Sequence, residues 1–518
     1  MTLNYFSIMM IVSFINFYSL FSIFITSRRG FMTQFTTLDT IIVIVYMLVL
    51  ICVGIWVAKR TKTTEDFMVA GRNIGIWRFT AAMAACVIGG SLTMGSTRLA
   101  YESGIGAIWL GGICALSIFL LSLFLRTKLS DMRILTTAEG FGVFYGPQAR
   151  VLSAVVMMIY MFMVGVVQVV AVGTIMNVMF GWSTQISMLI GGVVVLAYIV
   201  IGGMWAVTYT DIIQFLIMTA GVIVLCPILA IHGVGGFGAF IEQAPATHLD
   251  ITNLGAARII AYILLYTPGF IVGQDIWQRA FTAKNPKVAR HGTALAALYI
   301  FLYTVALIII GICLVIVMPD LENSDLAFAT ATTTFTPMGI RGVIMAAALA
   351  AVMSTASSEI MGTATVAFND LIRNAKPDIS EKTGILITRI IAVIVGLLAI
   401  VCALWIQSVL VALDVAYAFI SGCIFIPCVF AFLLKKVSAK AGLLAMCGSF
   451  ITVIFFMVKD GLAATSPIMG GILVSAVIFF IVTAIDRNKH EVDIHEDGTV
   501  YVDGVLQENK RRKSADYI

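Results

Sequence analysis

The chain consists mainly of apolar runs that are long enough to cross a lipid bilayer. A hydrocarbon core about 30 Å thick is crossed by a helix of about 20 residues. Of the 518 residues, 60% are hydrophobic and only 11% are charged, which is far from the composition of a soluble globular protein. The runs are continuous rather than alternating, which excludes a membrane β-barrel. The sequence therefore predicts an all-α polytopic membrane protein.

Thirteen of these runs fit membrane-spanning helices, and we number them as spans one to thirteen in chain order. The ninth is longer than one bilayer and must tilt or project beyond it. The predicted spans lie near 39–59, 78–100, 106–127, 149–180, 183–203, 207–232, 256–276, 292–318, 338–371, 382–405, 408–434, 441–458 and 467–486.

Lysine and arginine are concentrated in the loops after odd-numbered spans. The first of these loops follows span one, and the two together form the segment 39–77. Because cytoplasmic loops carry an excess of these residues, we expect a cell-membrane protein whose span one starts outside. The polar tail, 487–518, is then cytoplasmic. Within this tail the stretch EDGTVYVDG (496–504) is typical of a small hairpin.

Residues 1–26 form a further apolar run that Arg28 and Arg29 follow. As a fourteenth span, this run would leave both arginines outside, against the charge bias. It also fits a cleaved signal-like segment, or a chain whose translation starts at Met32. The start at Met32 is favoured, but the N-terminal extension, 1–38, stays open among these three interpretations.

Composition gives no sign of an enzyme or of a nucleic-acid partner. The net charge of +5 comes largely from residues between apolar runs, and the nine cysteines are scattered through those runs. They form no CxxC motif or Cys/His cluster, and no nucleophile–base set appears. We therefore expect no catalytic residues and no cofactor.

Span nine carries four hydroxyl side chains in the apolar segment LAAVMSTASS. Ser354, Ser357 and Ser358 are spaced i, i+3 and i+4, so they share one face of a helix. Ala351, Ser354 and Thr355 repeat that spacing one turn earlier. Hydroxyl and carbonyl oxygens suit a small hard cation. Because buried polar groups are costly at membrane depth, this face indicates an ion or substrate path.

Spans two and seven both contain residues that interrupt a helix. Span two holds AACVIGGSLTMGS (84–96), and span seven holds YTPGFIVGQD (266–275). Glycine and proline also occur in membrane helices for packing alone. Two interrupted segments five spans apart nevertheless indicate an inverted-repeat transporter with its binding site near the bilayer midplane.

Four segments carry a resemblance to a known family. They are DFMVAGRNIG (66–75), YIVIGGMWAVTYTDIIQ (198–214), GQDIWQRAFTAK (273–284) and GVIMAAALAAVMSTASSEI (342–360). Together they resemble the sodium:solute symporter family, whose members carry proline, pantothenate, sugars, sialic acid, choline or monocarboxylates.

The resemblance runs from about residue 39 to 486 and implies the leucine-transporter fold. That fold consists of two inverted five-helix repeats, here spans two to six (78–232) and spans seven to eleven (256–434). Spans twelve and thirteen (441–486) would follow the repeats.

The resemblance also implies a sodium site between spans two and nine. Ala85, Ile88 and Ala351 would supply backbone carbonyls, and Ser354 and Thr355 would supply hydroxyls. A carbonyl is free to bind an ion only where its helix is broken, and two glycines directly follow Ile88. The alternative is that the hydroxyls bond only to their own helix.

A second sodium ion stays open. Some family members hold one with residues that Asp211, Ser357 and Ser358 match, together with Ser354. Where the family can offer a threonine hydroxyl, this chain has Val87, which has none. Asp211 also fits an N-cap for span six.

The sequence does not identify the solute. Val87 and Gly273 stand where choline carriers have tryptophans for a cation–π cage, and span four has no arginine of the kind that clamps a sialic acid carboxylate. Glu359 could face a cationic substrate group, carry a proton or pair with a basic residue. The candidate pocket residues are Phe162, Gln168, Phe270, Gln274, Glu359 and Tyr417.

The sequence thus predicts a sodium-coupled secondary active symporter that imports a small organic solute by alternating access across the lipid bilayer. One alternative is a proton-coupled carrier on the same fold, in which Glu359 or Asp211 carries the proton. The other is a transporter-like membrane sensor. The sequence leaves the oligomeric state undetermined.

Overall fold

The structure is a computed structural model that describes residues 35–124, 134–406, 408–462, 464–494 and 499–506. The interpretations of the apolar run near the N-terminus fall outside these residues. The described chain is mostly helical, and ten of its helices are long and apolar enough to cross a membrane. The number rises to eleven when a bent helix pair counts as one span, so the number thirteen stays a prediction.

The helices are numbered here in chain order. They are α1 (Thr37–Val57), α2 (Thr64–Val69), α3 (Ile76–Val87), α4 (Gly90–Ser103), α5 (Ile108–Phe124), α6 (Thr137–Tyr145), α7 (Pro147–Phe180), α8 (Thr184–Met218), α9 (Cys226–Gly233), α10 (Phe237–Gln243), α11 (Ala256–Val272), α12 (Gln274–Ala280), α13 (Pro286–Val317), α14 (Ala327–Phe335), α15 (Ile340–Val366), α16 (Glu381–Ile406), α17 (Val409–Phe419), α18 (Phe425–Leu433), α19 (Ala439–Asp460) and α20 (Ser466–Ile485).

Both interrupted spans are broken where their sequences predict. Span two divides into α3 and α4, and Ile88 between them has the extended angles φ −82° and ψ 92°. Span seven divides into α11 and α12, which meet at Gly273 with a bend of 41°. Glycine at each break removes the side chain that would resist the change of direction.

Predicted spans five and six form one helical run of 50 residues, from 184 to 233. At 1.5 Å per residue this run is roughly 75 Å long, more than twice the thickness of a bilayer core. Gly203 divides it, with φ 59° and ψ −147°. Predicted span five ends at this glycine, so the two predicted spans are the two parts of the run on either side of Gly203.

Helix α15 lies at the centre of the molecule, and 94% of its most apolar 18-residue stretch is buried. Asp39 of α1 fixes its start, because Oδ1 accepts hydrogen bonds from the backbone N–H groups of Gly339 (2.8 Å) and Gly342 (3.0 Å). A carboxylate is favoured beside the exposed N–H groups at a helix N-terminus. This contact fixes the position of α15 relative to α1, and with it the position of the hydroxyl face of α15.

The polar tail forms a small antiparallel sheet with the loop before α19. Its strands, in the order β1–β4, are Lys436–Val437, His490–Ile494, Val500–Val502 and Val505–Leu506. Residues 499–504 of the predicted hairpin at 496–504 are described, and they belong to a larger sheet, because β3 pairs with β2 as well as with β4. The added pairing with β1 attaches the tail to the membrane body.

The turn between α4 and α5 packs closely against the backbone of His248, and a substitution can test this contact. Gly104 has φ 62° and ψ −133°, and a Cβ atom there would lie 2.0 Å from the carbonyl oxygen of His248. We expect Gly104→Ala to destabilise the protein by about 2 kcal/mol or more, through backbone strain and overlap. Gly238→Ala is the control, because nothing lies within 4 Å of its added Cβ. Thermal unfolding of the purified variants measures both, and equal melting temperatures would contradict the packing.

Candidate functional site

The break in span two leaves two backbone carbonyls of α3 without their usual helical donors. In an unbroken helix, the carbonyls of Ala85 and Cys86 would accept from the N–H groups of residues 89 and 90. Instead the Gly89 N–H donates to the carbonyl of Val87 (3.1 Å), and the Gly90 N–H donates to Oε1 of Gln168 (2.9 Å). Both free carbonyls therefore point out of α3.

Two hydroxyls of α15 meet these carbonyls. Ser354 Oγ donates to the carbonyl of Ala85 (2.7 Å), and Thr355 Oγ1 donates to the carbonyl of Cys86 (3.0 Å). Each hydroxyl also lies within hydrogen-bonding distance of the carbonyl of Ala351, at 2.9 Å and 3.3 Å. The structure thus brings together Ala85, Ala351, Ser354 and Thr355, all of which the sequence predicts for the sodium site.

Ile88 belongs to the same break, but it has no hydrogen bond to α15 in the described structure. Its neighbour Gly89 lies against Thr355, since a Cβ atom there would be 3.1 Å from Thr355 Oγ1. Cys86 supplies the contact that sequence reasoning missed. Counting four residues back from the second glycine of the break would have identified its carbonyl as free.

This group of oxygens, which we call the oxygen cluster (Ala85, Cys86, Ala351, Ser354 and Thr355), fits a small hard cation. A hydroxyl is both a donor and an acceptor, so rotation of its proton turns a lone pair toward a bound ion. Hydroxyl and carbonyl oxygens are the ligands that such ions prefer. Both hydroxyls are buried, so an ion in the cluster would be shielded from water.

Gln168 of α7 acts at the same break rather than in an open pocket. It is buried, and its Oε1 accepts from the first N–H of α4. A Cβ atom at Gly89 would lie 3.0 Å from both of its amide atoms. Gln168 therefore satisfies a backbone group that the break exposes, and it fixes α4 relative to α7.

A buried ion pair lies behind the oxygen cluster. Oδ2 of Asp211 on α8 is 2.9 Å from Nη2 of Arg279 on α12, and both side chains are almost fully buried. The guanidinium also donates to Ser358 Oγ, and its Nη1 is 2.6 Å from the sulfur of Met204. The N-cap interpretation of Asp211 was wrong, because Asp211 lies inside α8, whose N-cap is Ser183.

Arg279 lies inside the protein, although its place in the sequence predicts a loop cation. It follows predicted span seven (256–276), where a basic loop residue would be expected. The structure buries it, with 1% of its surface exposed. The spacing of Asp275 and Arg279, four apart on one helix face, could have indicated a buried pairing.

Ser357 and Ser358 both bond to their own helix. Their Oγ atoms donate to the carbonyl of Ser354 at 2.8 Å and 2.9 Å. This is the usual arrangement of hydroxyls inside membrane helices. The positions predicted for a second sodium ion thus lie together, but a guanidinium lies between Asp211 and Ser358.

Apart from Gln168 and Glu359, the predicted pocket residues lie in three places. Phe270 and Tyr417 belong to one aromatic cluster, in which Tyr417 is 5.9 Å from Phe270, 5.1 Å from Tyr266 and 5.8 Å from Tyr160 between ring centroids. Gln274 turns away to α6, where its Oε1 accepts from the backbone N–H and hydroxyl of Thr137 at 2.7 Å and 2.6 Å.

The third place is occupied by Phe162, which is only partly buried and packs against the apolar core.

Glu359 lies between the two broken spans, one turn beyond Thr355 on α15. It is buried, and within the described chain neither of its carboxylate oxygens has a hydrogen-bond donor. Its carboxyl group is within hydrogen-bonding reach of Asp275, which follows the break in span seven. Oδ1 of Asp275 likewise has no donor among the described residues.

Comparison with known proteins gives a consistent family. Residues 67–451 match the model of the sodium:solute symporter family. The chain is 25% identical over 468 residues to the osmoregulated proline transporter OpuE of Bacillus subtilis (strain 168), covering 86% of this chain and 94% of that protein. It is 24% identical over 495 residues to the sodium/glucose cotransporter of Vibrio parahaemolyticus, covering 86% and 89%.

The fold is similar to that of a Na+-coupled sialic acid symporter in a substrate-bound outward-open state. The TM-score is 0.78, with 17% sequence identity, over 89% of this chain and 100% of that chain. At this identity the likeness shows the fold alone, which is of the leucine-transporter type.

The buried pair of Asp211 and Arg279 gives a stability prediction. Arg279→Met leaves Asp211 buried without a counter-charge, so we expect a loss of about 3–5 kcal/mol in unfolding free energy. The double variant Asp211→Asn/Arg279→Met should recover most of that loss. The measurement is thermal unfolding of the purified variants.

Arg98→Met is the control for this pair, because Arg98 forms a partly exposed ion pair with Glu102, of a kind worth about 1 kcal/mol or less. Equal losses in Arg279→Met and Arg98→Met would contradict a tightly coupled buried pair.

Proposed function

Because the chain belongs to the sodium:solute symporter family, we propose that it is a sodium-coupled secondary active symporter that imports a small organic solute by alternating access. The oxygen cluster carries the proposal. It joins the broken end of α3 to the centre of α15 through two hydroxyl–carbonyl contacts, of 2.7 Å and 3.0 Å. Relatives named as proline and glucose carriers support the same class of function.

Sodium takes the place of these two hydrogen bonds in the proposed cycle. The hydroxyl protons of Ser354 and Thr355 turn away, and the ion is bound by oxygens of both α3 and α15. Because one ion then bridges α3 and α15, its binding favours the conformation in which oxygens of both helices face it. Solute binds next, at the two breaks, and the repeats move to open the site to the cytoplasm.

The burial of these residues supports the proposal of alternating access. The oxygen cluster, Gln168, Glu359 and Tyr417 are all buried in the described structure, so ions and solutes reach them only when helices move apart. A sodium ion that moves down about 100 mV releases about 2.3 kcal/mol, and a tenfold gradient adds about 1.4 kcal/mol. Together these support a several-hundredfold gradient of a neutral solute.

One sodium ion per cycle fits the buried charges better than two. Arg279 supplies a positive charge beside Asp211 and Ser358, where a second sodium ion would bind. A guanidinium and a sodium ion would repel each other at this distance in a medium of low dielectric constant. The proposed location is the cell membrane, with the C-terminal tail in the cytoplasm.

Sodium-dependent stability tests the oxygen cluster without knowledge of the solute. Sodium in place of potassium should raise the melting temperature of the purified protein, because a ligand that binds only the folded state stabilises it. Ser354→Ala and Thr355→Val should each raise the half-maximal sodium concentration roughly tenfold or more, since each removes a ligand oxygen.

Two buried hydroxyls serve as matched controls for these variants. Ser449 bonds to Ala445 at 2.7 Å and Thr388 bonds to Gly384 at 2.8 Å, each within its own helix. Ser449→Ala and Thr388→Val should keep the wild-type sodium dependence. An unchanged sodium response in Ser354→Ala would overturn the site. A protein that responds to pH but not to sodium would favour the proton-coupled carrier instead.

Equilibrium binding of radioactive sodium tests the stoichiometry. We expect one bound ion per wild-type protein and two in Arg279→Gln, because the substitution frees Asp211 to bind a cation. The double variant Asp211→Asn/Arg279→Gln should return to one. Two ions on the wild-type protein would show that Arg279 does not replace the second ion.

A further inference from the structure

We propose that Asp275 and Glu359 form a binding site for the ammonium group of the transported solute. This acidic pair lies between the breaks of spans two and seven. The inference rests on the proposed function, and it names the chemical class of the solute: a small molecule with a positively charged nitrogen.

The charges around the pair do not balance within the described structure. Three buried carboxylates, Asp211, Asp275 and Glu359, lie near a single buried guanidinium, that of Arg279. The guanidinium is bound by Asp211 and Ser358. The remaining two carboxyl groups lie within hydrogen-bonding reach of each other, so they either share a proton or need a cation between them.

The oxygens of the acidic pair also lack donors. Both carboxylate oxygens of Glu359 and Oδ1 of Asp275 are buried without a hydrogen-bond partner in the described structure. A buried charge without a partner is among the most costly features that a protein can carry. An ammonium group would supply both the missing donors and the missing positive charge.

Aromatic rings adjoin the acidic pair. The hydroxyl of Tyr160 lies near Asp275, because a Cβ atom added at Gly273 would be 3.3 Å from that hydroxyl and 2.7 Å from Oδ1 of Asp275. The ring of Tyr160 contacts that of Tyr417 with centroids 5.8 Å apart. Tyr417 also contacts Phe270. Aromatic faces attract organic cations. The pair and the rings thus offer a carboxylate and a π-face to the same ligand.

Glycines adjoin both carboxyl groups. Gly165 of α7 faces Glu359, and a Cβ atom added there would lie 3.7 Å from Glu359 Cβ. Gly273 adjoins Asp275, where an added Cβ would lie 2.7 Å from Oδ1. The carboxyl groups are therefore closely packed in this conformation, and a ligand reaches them when the helices move apart.

An organic ammonium fits these features better than other ligands do. An anionic solute would be repelled by two carboxylates, and a neutral solute would leave their charge unbalanced. Divalent metal ions are held by groups of such side chains, and the described residues contain no group of three or more His, Cys, Asp or Glu that could hold one. The ligand that balances charge, donates hydrogen bonds and contacts aromatic faces is an ammonium.

Matched pairs of probes test the inference. The purified protein in sodium buffer is mixed with L-proline, 4-aminobutyrate or putrescine, each of which has N–H donors, and with the isosteres that lack an ammonium group, cyclopentanecarboxylate, pentanoate and 1,4-butanediol. At least one ammonium compound should raise the melting temperature, and its isostere should not. Stabilisation by isosteres alone, or by none of the six compounds, would overturn the inference.

Isosteric variants link the effect to the pair. Glu359→Gln and Asp275→Asn each replace one carboxyl group by an amide that can donate a hydrogen bond to the other, so the ligand-free melting temperature should stay the same or rise. Affinity for the stabilising ammonium compound should fall roughly 100-fold, because a charged hydrogen-bond partner is lost. Unchanged affinity in both variants would place the ammonium elsewhere and reject the site.

Asp370→Asn is the control with the opposite pattern. Asp370 is a buried carboxylate whose Oδ1 is 2.8 Å from Nη2 of Arg150. Its substitution should lower the ligand-free melting temperature and leave the ammonium response intact. Loss of the response in Asp370→Asn as well would show a general effect of instability and would contradict a specific role of the acidic pair.

Failure of this inference is distinguishable from failure of the proposed function. A protein that sodium stabilises but no ammonium compound does remains a sodium symporter with another class of solute. A protein that ammonium compounds stabilise through Glu359, without any effect of sodium, keeps the site and loses the sodium coupling.

Discussion

The break in span two is the constraint on which the site depends. A backbone carbonyl in an apolar environment must find a partner, and the break deprives Ala85 and Cys86 of theirs. Helix α15 supplies the partners through Ser354 and Thr355, and Gln168 of α7 satisfies the N–H at the start of α4. The same contacts that make the break tolerable in a membrane are those that a cation can replace.

The second constraint is buried charge. Asp211 and Arg279 neutralise each other at 2.9 Å, and either one alone would destabilise the fold. Asp275 and Glu359 have no such partner among the described side chains. The two pairs therefore differ in charge: Asp211 has a counter-charge at 2.9 Å, and the ammonium group that we propose would supply one to Asp275 and Glu359.

The sequence predicted the family and the two broken spans, and the comparisons and the structure confirm both. Both predictions rest on local sequence patterns. The broken spans were recognised by their glycines, and the family by short contiguous motifs. Spacing alone put Ala351, Ser354 and Thr355 on one helix face, and the family resemblance added Ala85, so four of the five residues of the oxygen cluster were among the predicted sodium ligands. Cys86 was missed, since its role depends on which donor the glycine at position 90 finds in α7.

Sequence alone determined the class of molecule, because apolar runs of this length have no stable place except a membrane. It also determined where the helices are weak, because glycine and proline act on the backbone next to them. Only the tertiary structure decided which charges meet. Arg279 looks like a loop cation along the chain, and its burial against Asp211 depends on α8 and α12 lying side by side. Glu359, which the sequence left open among three roles, is placed beside Asp275 by the packing of α15 against α12.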